Sequence, residues 1–260
     1  MKILMIGDIV GRPGRHCLRD LLPRIIEKNK IDFVIANCEN AASGKGATKK
    51  VINNIFSSGV NVMTSGNHIW DKREIYEFID QEENLLRPAN YPPGTPGRGF
   101  GLYKVDDYVI GVLNLSGRVF MQELDCPFQK AIEVVNQRKS ECTHIIVDFH
   151  AEATSEKMAL ARYLDGKVSA LIGTHTHVQT ADEHILPNGT GYLTDVGMTG
   201  PYNSILGVDS DAVINKFITQ LPERFEVADG GAQFNGVFID LEIDSGLCKN
   251  IERIQDVHDF

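Results

Sequence analysis

The stretch Lys2-Ile3-Leu4-Met5-Ile6-Gly7-Asp8 sets a pattern that recurs along the chain, in which an apolar run ends in a polar residue. Continuous apolar runs are typical of parallel strands that are buried on both faces. Residues 33–36 and 60–64 read as two further strands of this kind. Between the first two strands we expect a loop over the glycine-rich residues 7–14, followed by a helix over residues 15–29. Strands that alternate with helices predict an α/β fold.

The second half of the chain is richer in predicted strands than the first. They cover residues 100–105 and 108–115 (a hairpin around Asp106-Asp107), 143–149, 170–172, 191–194 and 236–243. Helices are expected from Thr48 to Gly59, from a capping box of Asp71 and Glu74, over residues 127–139, from Thr154 or Ser155 to Leu164, and after Asp209. No linker divides the chain, so we expect one domain over residues 1–260, with two packed sheets and the helices outside.

The bulk composition argues against several classes of partner. The 260 residues carry a formal net charge of −9, without a run of Lys or Arg. A long nucleic acid requires a basic face and is therefore not expected as a partner. No apolar stretch has the length of a membrane span, and the first apolar run is too short for a signal peptide. The five cysteines lack a C-x-x-C pair, which is ordinary reduced usage, so we predict a cytoplasmic protein.

Five polar motifs follow predicted strands, at the strand ends where ligands gather in α/β sheets. They are Asp8, Glu39-Asn40, Gly66-Asn67-His68, His150 and His175-Thr176-His177. Carboxylate, amide and imidazole groups gathered at one edge can bind a pair of hard or borderline metal ions. Such a pair is suited to the hydrolysis of phosphate esters. Bound cations would also reverse the local charge, so a small phosphorylated substrate is compatible with this acidic chain.

Each motif has a simpler interpretation when it is taken alone. Asp8 is as often a helix cap as a ligand, and Glu39 is as often a solvated loop residue. His150 is more often a satisfied core histidine. The pair His175 and His177 is the strongest signal, because residues i and i+2 of an extended segment share one face. The joint occurrence of five motifs after five strands favours the metal site.

Three residues are assigned roles outside the ligand set. Asp148 is two residues before His150, so both side chains lie on the same face of the strand, and Asp148 is a candidate hydrogen-bond acceptor behind the His150 ring. Asp195 is a candidate for orienting the imidazole of His175 or His177. His68 follows Asn67 in an extended loop, so the two side chains point in different directions. His68 is therefore better placed to act on a substrate than to share a metal ion.

Together the motifs resemble the calcineurin-like metallophosphoesterase superfamily, whose usual pattern is D-x-H, G-D-x-x-D, G-N-H-[DE], a lone His, and G-H-x-H. The chain departs from this pattern at three positions. Val10 stands where a His ligand is usual, Glu39 replaces a bridging Asp, and Thr174 separates Gly173 from His175. With these three departures, the sequence resembles the YmdB-type branch of the superfamily. The likeness covers nearly the whole chain, including the runs Gly7-Asp8-Ile9-Val10-Gly11 and Glu39-Asn40-Ala41-Ala42.

The resemblance implies a fold, a metal centre and an activity. The fold is a four-layer αββα sandwich of two packed mixed sheets flanked by helices. Two metal ions, iron or manganese, would bind, and Asn40 would compensate for the imidazole lost at Val10. One ion would be held by Asp8, Glu39, Asn40 and His177, and the other by Glu39, Asn67, His150 and His175. A hydroxide between the ions would open 2',3'-cyclic nucleotides to nucleoside 3'-phosphates, with His68 as proton donor.

Three other functions stay open from the sequence. A phosphomonoesterase or a nuclease for small oligonucleotides could use the same metal ions. A regulatory scaffold could bind a nucleotide or a partner without catalysis, although the retained His68 argues against it, since a pure binder does not need a general acid. The oligomeric state is also open, a homo-oligomer included.

Overall fold

The computed structural model describes residues 1–260. Its strands are β1 (Lys2–Ile6), β2 (Asp8–Ile9), β3 (Phe33–Asn37), β4 (Val62–Thr64), β5 (Phe100–Val105), β6 (Tyr108–Ser116), β7 (His144–His150), β8 (Ala170–Thr174), β9 (His184–Ile185), β10 (Gly191–Leu193), β11 (Met198–Pro201), β12 (Ala232–Leu241) and β13 (Cys248–His258). Its α-helices are α1 (Gly11–Asn29), α2 (Lys49–Ser57), α3 (Ile75–Phe78), α4 (Pro127–Arg138), α5 (Thr154–Leu164) and α6 (Ser210–Thr219), and a 3-10 helix covers Ile69–Asp71.

Two mixed sheets form the centre of the molecule. The first contains seven strands in the order β2-β11-β12-β1-β3-β4, with β13 paired to β12, and the second contains six strands in the order β5-β6-β7-β8-β10-β9. Strands β1, β3 and β4 run parallel to one another, as do β6, β7 and β8. The carboxyl ends of the parallel strands therefore lie side by side within each sheet.

Apolar side chains hold the sheets and helices together in layers. One buried cluster contains residues of both sheets, among them Ile3, Ile35, Val112 and Ile146. A second cluster joins α1 and α2 to the first sheet, and a third joins α4 and α5 to the second sheet. These three clusters fill the spaces between four layers, so the predicted αββα sandwich is confirmed.

The glycine-rich segment after β1 is more regular than the sequence predicted. We expected a loop over residues 7–14, whereas α1 begins at Gly11 and β2 occupies Asp8–Ile9. Pro13 is tolerated because the first turn of a helix has no partner for its N–H. Gly14 serves close packing, since a Cβ at that position would collide with the carbonyl group of Thr199 in β11.

Among the predicted helix starts, those at Thr48, Thr154 and Asp209 are confirmed, whereas the capping box of Asp71 and Glu74 and the side-chain cap of α5 are wrong. Thr48 accepts a hydrogen bond from Val51 N, and Asp209 caps α6. Asp71 and Glu74 form no capping box, because the carboxylate of Glu74 accepts from the backbone of Lys49 instead. Helix α5 begins at Thr154 without a side-chain cap.

The predicted hairpin is confirmed as the antiparallel pair of β5 and β6, but strand β13 was missed. It pairs with β12 along nearly its whole length. Most of its side chains are polar, so pairing with a neighbour, and not local hydrophobicity, determines this strand. None of the helices has both the length and the apolar character that crossing a membrane requires.

Candidate metal and catalytic site

The ends of parallel strands deliver the predicted residues to one place. On the first sheet, Asp8, Glu39 and Asn67 follow β1, β3 and β4 within three residues of each strand end. On the second sheet, His150 is the last residue of β7, and His175 directly follows β8. Side chains of the two sets contact one another across the gap between the sheets, so the site belongs to both sheets.

Three candidate ligands surround the imidazole of a fourth, His150, which is fully buried. Its Nε2 lies 3.1 Å from Glu39 Oε1, 3.2 Å from Asn67 Oδ1 and 2.9 Å from His175 Nδ1. One ligand atom from each of Glu39, His150 and His175 falls within 4.8 Å of the others. This group of four has the same members as the set expected for one of the two ions.

A second group surrounds His177. Its Nε2 lies 3.2 Å from Asn40 Oδ1. The Asn40 amide nitrogen donates to the carbonyl oxygen of Gly44 at 3.0 Å, which turns the amide oxygen toward the ring. Glu39, directly before Asn40 in the chain, connects this group with the one around His150.

Asp8 is fully buried and only half satisfied. Its Oδ2 accepts from His175 N at 3.1 Å, whereas its Oδ1 has no hydrogen-bond partner and lies 3.7 Å from His150 Nδ1. Burial raises the pKa of Asp8 to about 7, although the charges of His150 and His177 lower it. A buried carboxylate oxygen without a donor costs free energy, and a cation beside it would remove that cost.

The remaining charges of the site depend on one another. Burial alone would raise the pKa of Glu39, but the charge and hydrogen bond of His150 bring it down to about 2. Burial opposes protonation of His150, whereas Glu39 and Asp8 raise the pKa of this ring to about 9. Burial and the neighbouring His150 lower the pKa of His175 to about 3. A proton on His150 thus compensates the carboxylates, which is what a metal cation would do at the same place.

A hydrogen-bonded relay orients His150 from behind. Its Nδ1 lies 2.9 Å from Thr174 Oγ1, and this hydroxyl donates to Asp148 Oδ1 at 2.7 Å. Because the Thr174 proton points to Asp148, its oxygen accepts from His150 Nδ1–H, and Nε2 is the nitrogen that faces the site. Asp148 therefore lies behind His150, as its strand parity predicted, but it acts through the hydroxyl of Thr174.

The two histidines of the H-x-H motif present different nitrogens. His177 Nδ1 donates to the Leu206 carbonyl oxygen at 2.9 Å, so Nε2 faces Asn40. The His175 ring is reversed, because its Nε2 lies 3.2 Å from Glu152 Oε2 and its Nδ1 faces His150. The predicted extended backbone is wrong here, since φ is +100° at His175 and +65° at His177. A turn, and not a shared strand face, brings both rings to the site.

The backbone of this turn is held by a buried ion pair. Asp195 Oδ2 accepts from Lys157 Nζ at 2.7 Å and from Thr176 N at 3.0 Å. Lys157 Nζ also donates to the Thr174 carbonyl oxygen at 2.8 Å, and both charged side chains are fully buried. Asp195 thus orients the peptide between the two histidines, and it makes no hydrogen bond to either ring.

His68 stands beside the candidate ligands and is oriented separately. Its backbone N donates to Glu39 Oε2 at 3.1 Å, and its ring Nδ1 lies 3.0 Å from Asp71 Oδ2. The ring makes no hydrogen bond to a candidate ligand. The structure therefore brings His68 to the edge of the site while keeping its imidazole apart from the candidate ligands.

Two positions explain how the backbone accommodates this cluster. A Cβ at Gly66 would collide with the His150 ring and with Glu39 Oε2, so only glycine leaves room for the ligands. Val10, which stands where the superfamily usually has a histidine, is buried against Gly200 and Gly207. Asn40 Oδ1 is the group that faces His177 instead.

The donor set fits divalent metal ions with oxygen and nitrogen preference. It combines carboxylates, amide oxygens and imidazoles that converge without protein donors to satisfy them all. The group of ligand atoms that lie within 4.8 Å of one another comes from Glu39, His150 and His175, and it contains no cysteine. The unpartnered Asp8 oxygen is the observation that favours a cation most directly.

Sequence reasoning missed three residues that support the site. Glu152 is two residues after His150, a spacing that places both side chains on one face of an extended chain, and this spacing could have identified it. Asp71 lies three residues after His68, the spacing at which side chains of a helical turn meet. Lys157 gave no signal, since only the packing of α5 against the second sheet shows that its ammonium group is buried.

Comparisons with known proteins agree with this arrangement. The model of the YmdB-like protein family matches residues 4–254. A 2',3'-cyclic-nucleotide 2'-phosphodiesterase of Bacillus subtilis is 52% identical over 254 residues, which cover 98% of this chain and 96% of that protein. Crystal structures of a hypothetical protein from Thermus thermophilus and of a novel phosphatase from Mycoplasma pneumoniae superpose with TM-scores of 0.93 and 0.95, at 41% and 35% identity. The first alignment covers 99% of this chain and 100% of the other, and the second covers 100% and 94%.

The family model spans almost the whole chain, and the candidate site lies at the strand ends where this family resemblance was strongest in the sequence. The chain belongs to the YmdB-like family, a branch of the calcineurin-like metallophosphoesterases.

Proposed function

We propose that the protein is a metal-dependent phosphodiesterase that opens 2',3'-cyclic nucleotides to nucleoside 3'-phosphates. The observation that carries this proposal is the convergence of Glu39, Asn67, His175 and His150 beside a half-satisfied, buried Asp8. The relative from Bacillus subtilis, at 52% identity, supports the choice of substrate.

Two metal ions per chain are proposed, with iron as the preferred metal and manganese as the next choice. Asp8, Glu39, Asn40 and His177 would hold one ion, and Glu39, Asn67, His150 and His175 would hold the other. When bound, the ions would neutralise the phosphoryl oxygens and acidify the attacking water. The relay from Asp148 through Thr174 keeps His150 Nε2 directed into the site, and Leu206 does the same for His177.

His68 is proposed as the general acid. Opening of a cyclic diester expels a 2' alkoxide, which leaves poorly unless it receives a proton. Asp71, 3.0 Å from Nδ1, fixes the orientation of the imidazole, while Nε2 is free of protein hydrogen bonds. The backbone bond from His68 N to Glu39 Oε2 ties this acid to the proposed bridging carboxylate.

A phosphoester panel tests the proposed substrate. Protein reconstituted with iron(II) or manganese(II) is assayed on 2',3'-cyclic nucleotides, 3',5'-cyclic nucleotides, nucleoside monophosphates and short oligonucleotides. We expect the 2',3'-cyclic substrates to have the highest kcat/KM. Fastest turnover of monoesters or oligonucleotides would make the protein a phosphatase or a nuclease. No turnover of any phosphoester, with intact nucleotide binding, would favour the regulatory scaffold.

A further inference from the structure

We propose that Phe120 stacks on the nucleobase of the substrate, and that the loop over residues 117–122 is built to hold it beside the site. The inference rests on the proposed function, because it assigns the nucleoside of that same substrate to one side of the metal centre. It makes Phe120 a specificity-determining residue that does not touch the reacting atoms.

The loop starts at the site itself. It follows β6, whose last residue, Ser116, is in register with His150 at the end of β7. Gly117 N then donates to the His150 carbonyl oxygen at 2.9 Å. Phe120 is three residues further along the chain. Since an extended chain advances by about 3.3–3.6 Å per residue, the Cα of Phe120 lies within roughly 11 Å of the Cα of Gly117.

Buried polar groups fix the shape of the loop. The carboxylate of Glu156, which is only 8% exposed, accepts from Arg118 N at 3.1 Å and from Val119 N at 3.2 Å. The Asn90 side chain bonds to both the N–H and the carbonyl group of Ser116, and its amide nitrogen reaches the Asp125 carbonyl oxygen at the other end. Phe120 is thus presented by a clamped segment.

The conformation of Phe120 is unusual for its residue type. Its side chain is 90% exposed, and its φ of +61° lies in the left-handed region that a bulky aromatic residue rarely adopts. Both features cost free energy, and the ring itself, being 90% exposed, gains almost no burial in return. Strained backbone of this kind tends to persist near functional sites, where the side chain has a use outside the fold.

The other end of the loop lies on the side of the proposed general acid. Gln122 Oε1 accepts from the Tyr91 hydroxyl at 3.4 Å, and the Tyr91 ring packs edge-on to Trp70, two residues after His68. The ribose that carries the departing 2' oxygen must lie near His68. Its base would then extend toward the loop over residues 117–122.

The test compares a substrate that carries a base with one that has no base. Steady-state kinetics of Phe120→Ala are measured on a 2',3'-cyclic nucleotide and on glycerol 1,2-cyclic phosphate, which has no base. We expect KM for the nucleotide to rise roughly tenfold, as for loss of one base–aromatic stack, with kcat unchanged. Kinetics on the base-free substrate should not change, and Phe120→Tyr should restore KM for the nucleotide.

Two control variants remove aromatic rings elsewhere. Phe217→Ala deletes a 74% exposed ring on α6, and its kinetics should equal those of the unmodified protein. Tyr202→Ala removes a ring from a cavity of about 320 Å³ that His177 also lines. If Tyr202→Ala and not Phe120→Ala raises KM for the nucleotide alone, the base lies in that cavity and the proposal is wrong.

Other results of the same experiments would overturn the proposed stacking role of Phe120. Equal losses on both substrates, or a change of molecular mass in solution, would assign Phe120 to structure or to a subunit contact and overturn the inference. If the protein hydrolyses neither cyclic substrate, the proposed function fails, and inhibition of its true phosphoesterase activity by a nucleoside 3'-phosphate still reports stacking. In that case, inhibition unaffected by Phe120→Ala overturns the inference as well.

Discussion

The two sheets contribute unequal halves to the candidate centre. On the second sheet, every imidazole has a partner behind it: Thr174 for His150, Glu152 for His175 and Leu206 for His177. On the first sheet, Asp8 Oδ1 has no partner, and Glu39 Oε1 is satisfied only by His150 of the opposite sheet. The imidazole half is therefore organised by the protein, whereas the carboxylate half depends on a positive charge in the site.

The largest effect is expected from the carboxylate that connects the two halves. Glu39→Gln should remove activity more completely than Asn40→Ala, because it changes both the charge and the proposed bridge, whereas Asn40 is proposed as a neutral ligand to one ion. We expect Glu39→Gln to lower kcat/KM by more than the roughly 10- to 100-fold that is typical when a residue hydrogen-bonded to a metal ligand is replaced. Bound metal and kcat/KM are measured on both variants. Equal and mild losses would contradict the bridging role.

His68→Ala tests whether the acid is separate from both halves. It should keep the metal content and slow hydrolysis of a cyclic diester by roughly two to four orders of magnitude. A diester with an activated phenolate leaving group needs the proton less, so its rate should fall much less. The two rates are compared at matched metal occupancy. Equal losses, or lost metal, would make His68 a ligand or a structural residue.

Lys157→Met probes the support behind the imidazole half. It leaves the Asp195 carboxylate buried without its counter-ion, which typically costs about 3–5 kcal/mol of folding free energy. Urea unfolding of metal-free protein gives this loss directly. The double variant Lys157→Met/Asp195→Asn should recover part of it. A loss below about 1 kcal/mol would show that the ion pair does not hold the histidine turn.

The smallest effect is on the pH dependence of the carboxylate half. In metal-free protein the pKa of Asp8 is raised to about 7, so its contribution to stability is greatest at low pH and declines as pH rises from about 4 to 7. Asp8→Asn should remove that decline. Metal binding requires the ionised carboxylate, so metal affinity of the unmodified protein should increase as pH rises through 7. Unfolding at pH 4 and 7 checks the first sign, with Asp8→Asn as the reference, and metal titrations at pH 6 and 8 check the second.

Parts of the molecule differ in how far the sequence could predict them. Apolar runs such as Lys2–Ile6 determine strands locally, and the polar residues after them predicted which side chains would meet. Strand β13 and the buried Lys157 could not be predicted, because the pairing of β13 with β12 and the packing of α5 against the second sheet are tertiary effects. The H-x-H motif was placed correctly, although its backbone is a turn with positive φ and not a strand.

The metal content of freshly reconstituted protein tests the central claim most directly. Elemental analysis is combined with titration of the metal-free protein, and hydrolysis of a 2',3'-cyclic nucleotide is followed in the same sample. We predict two ions per chain and full activity only after the second equivalent, as two-metal hydrolysis requires. Full activity with one ion, or activity in protein free of metal, would contradict the proposed two-ion centre.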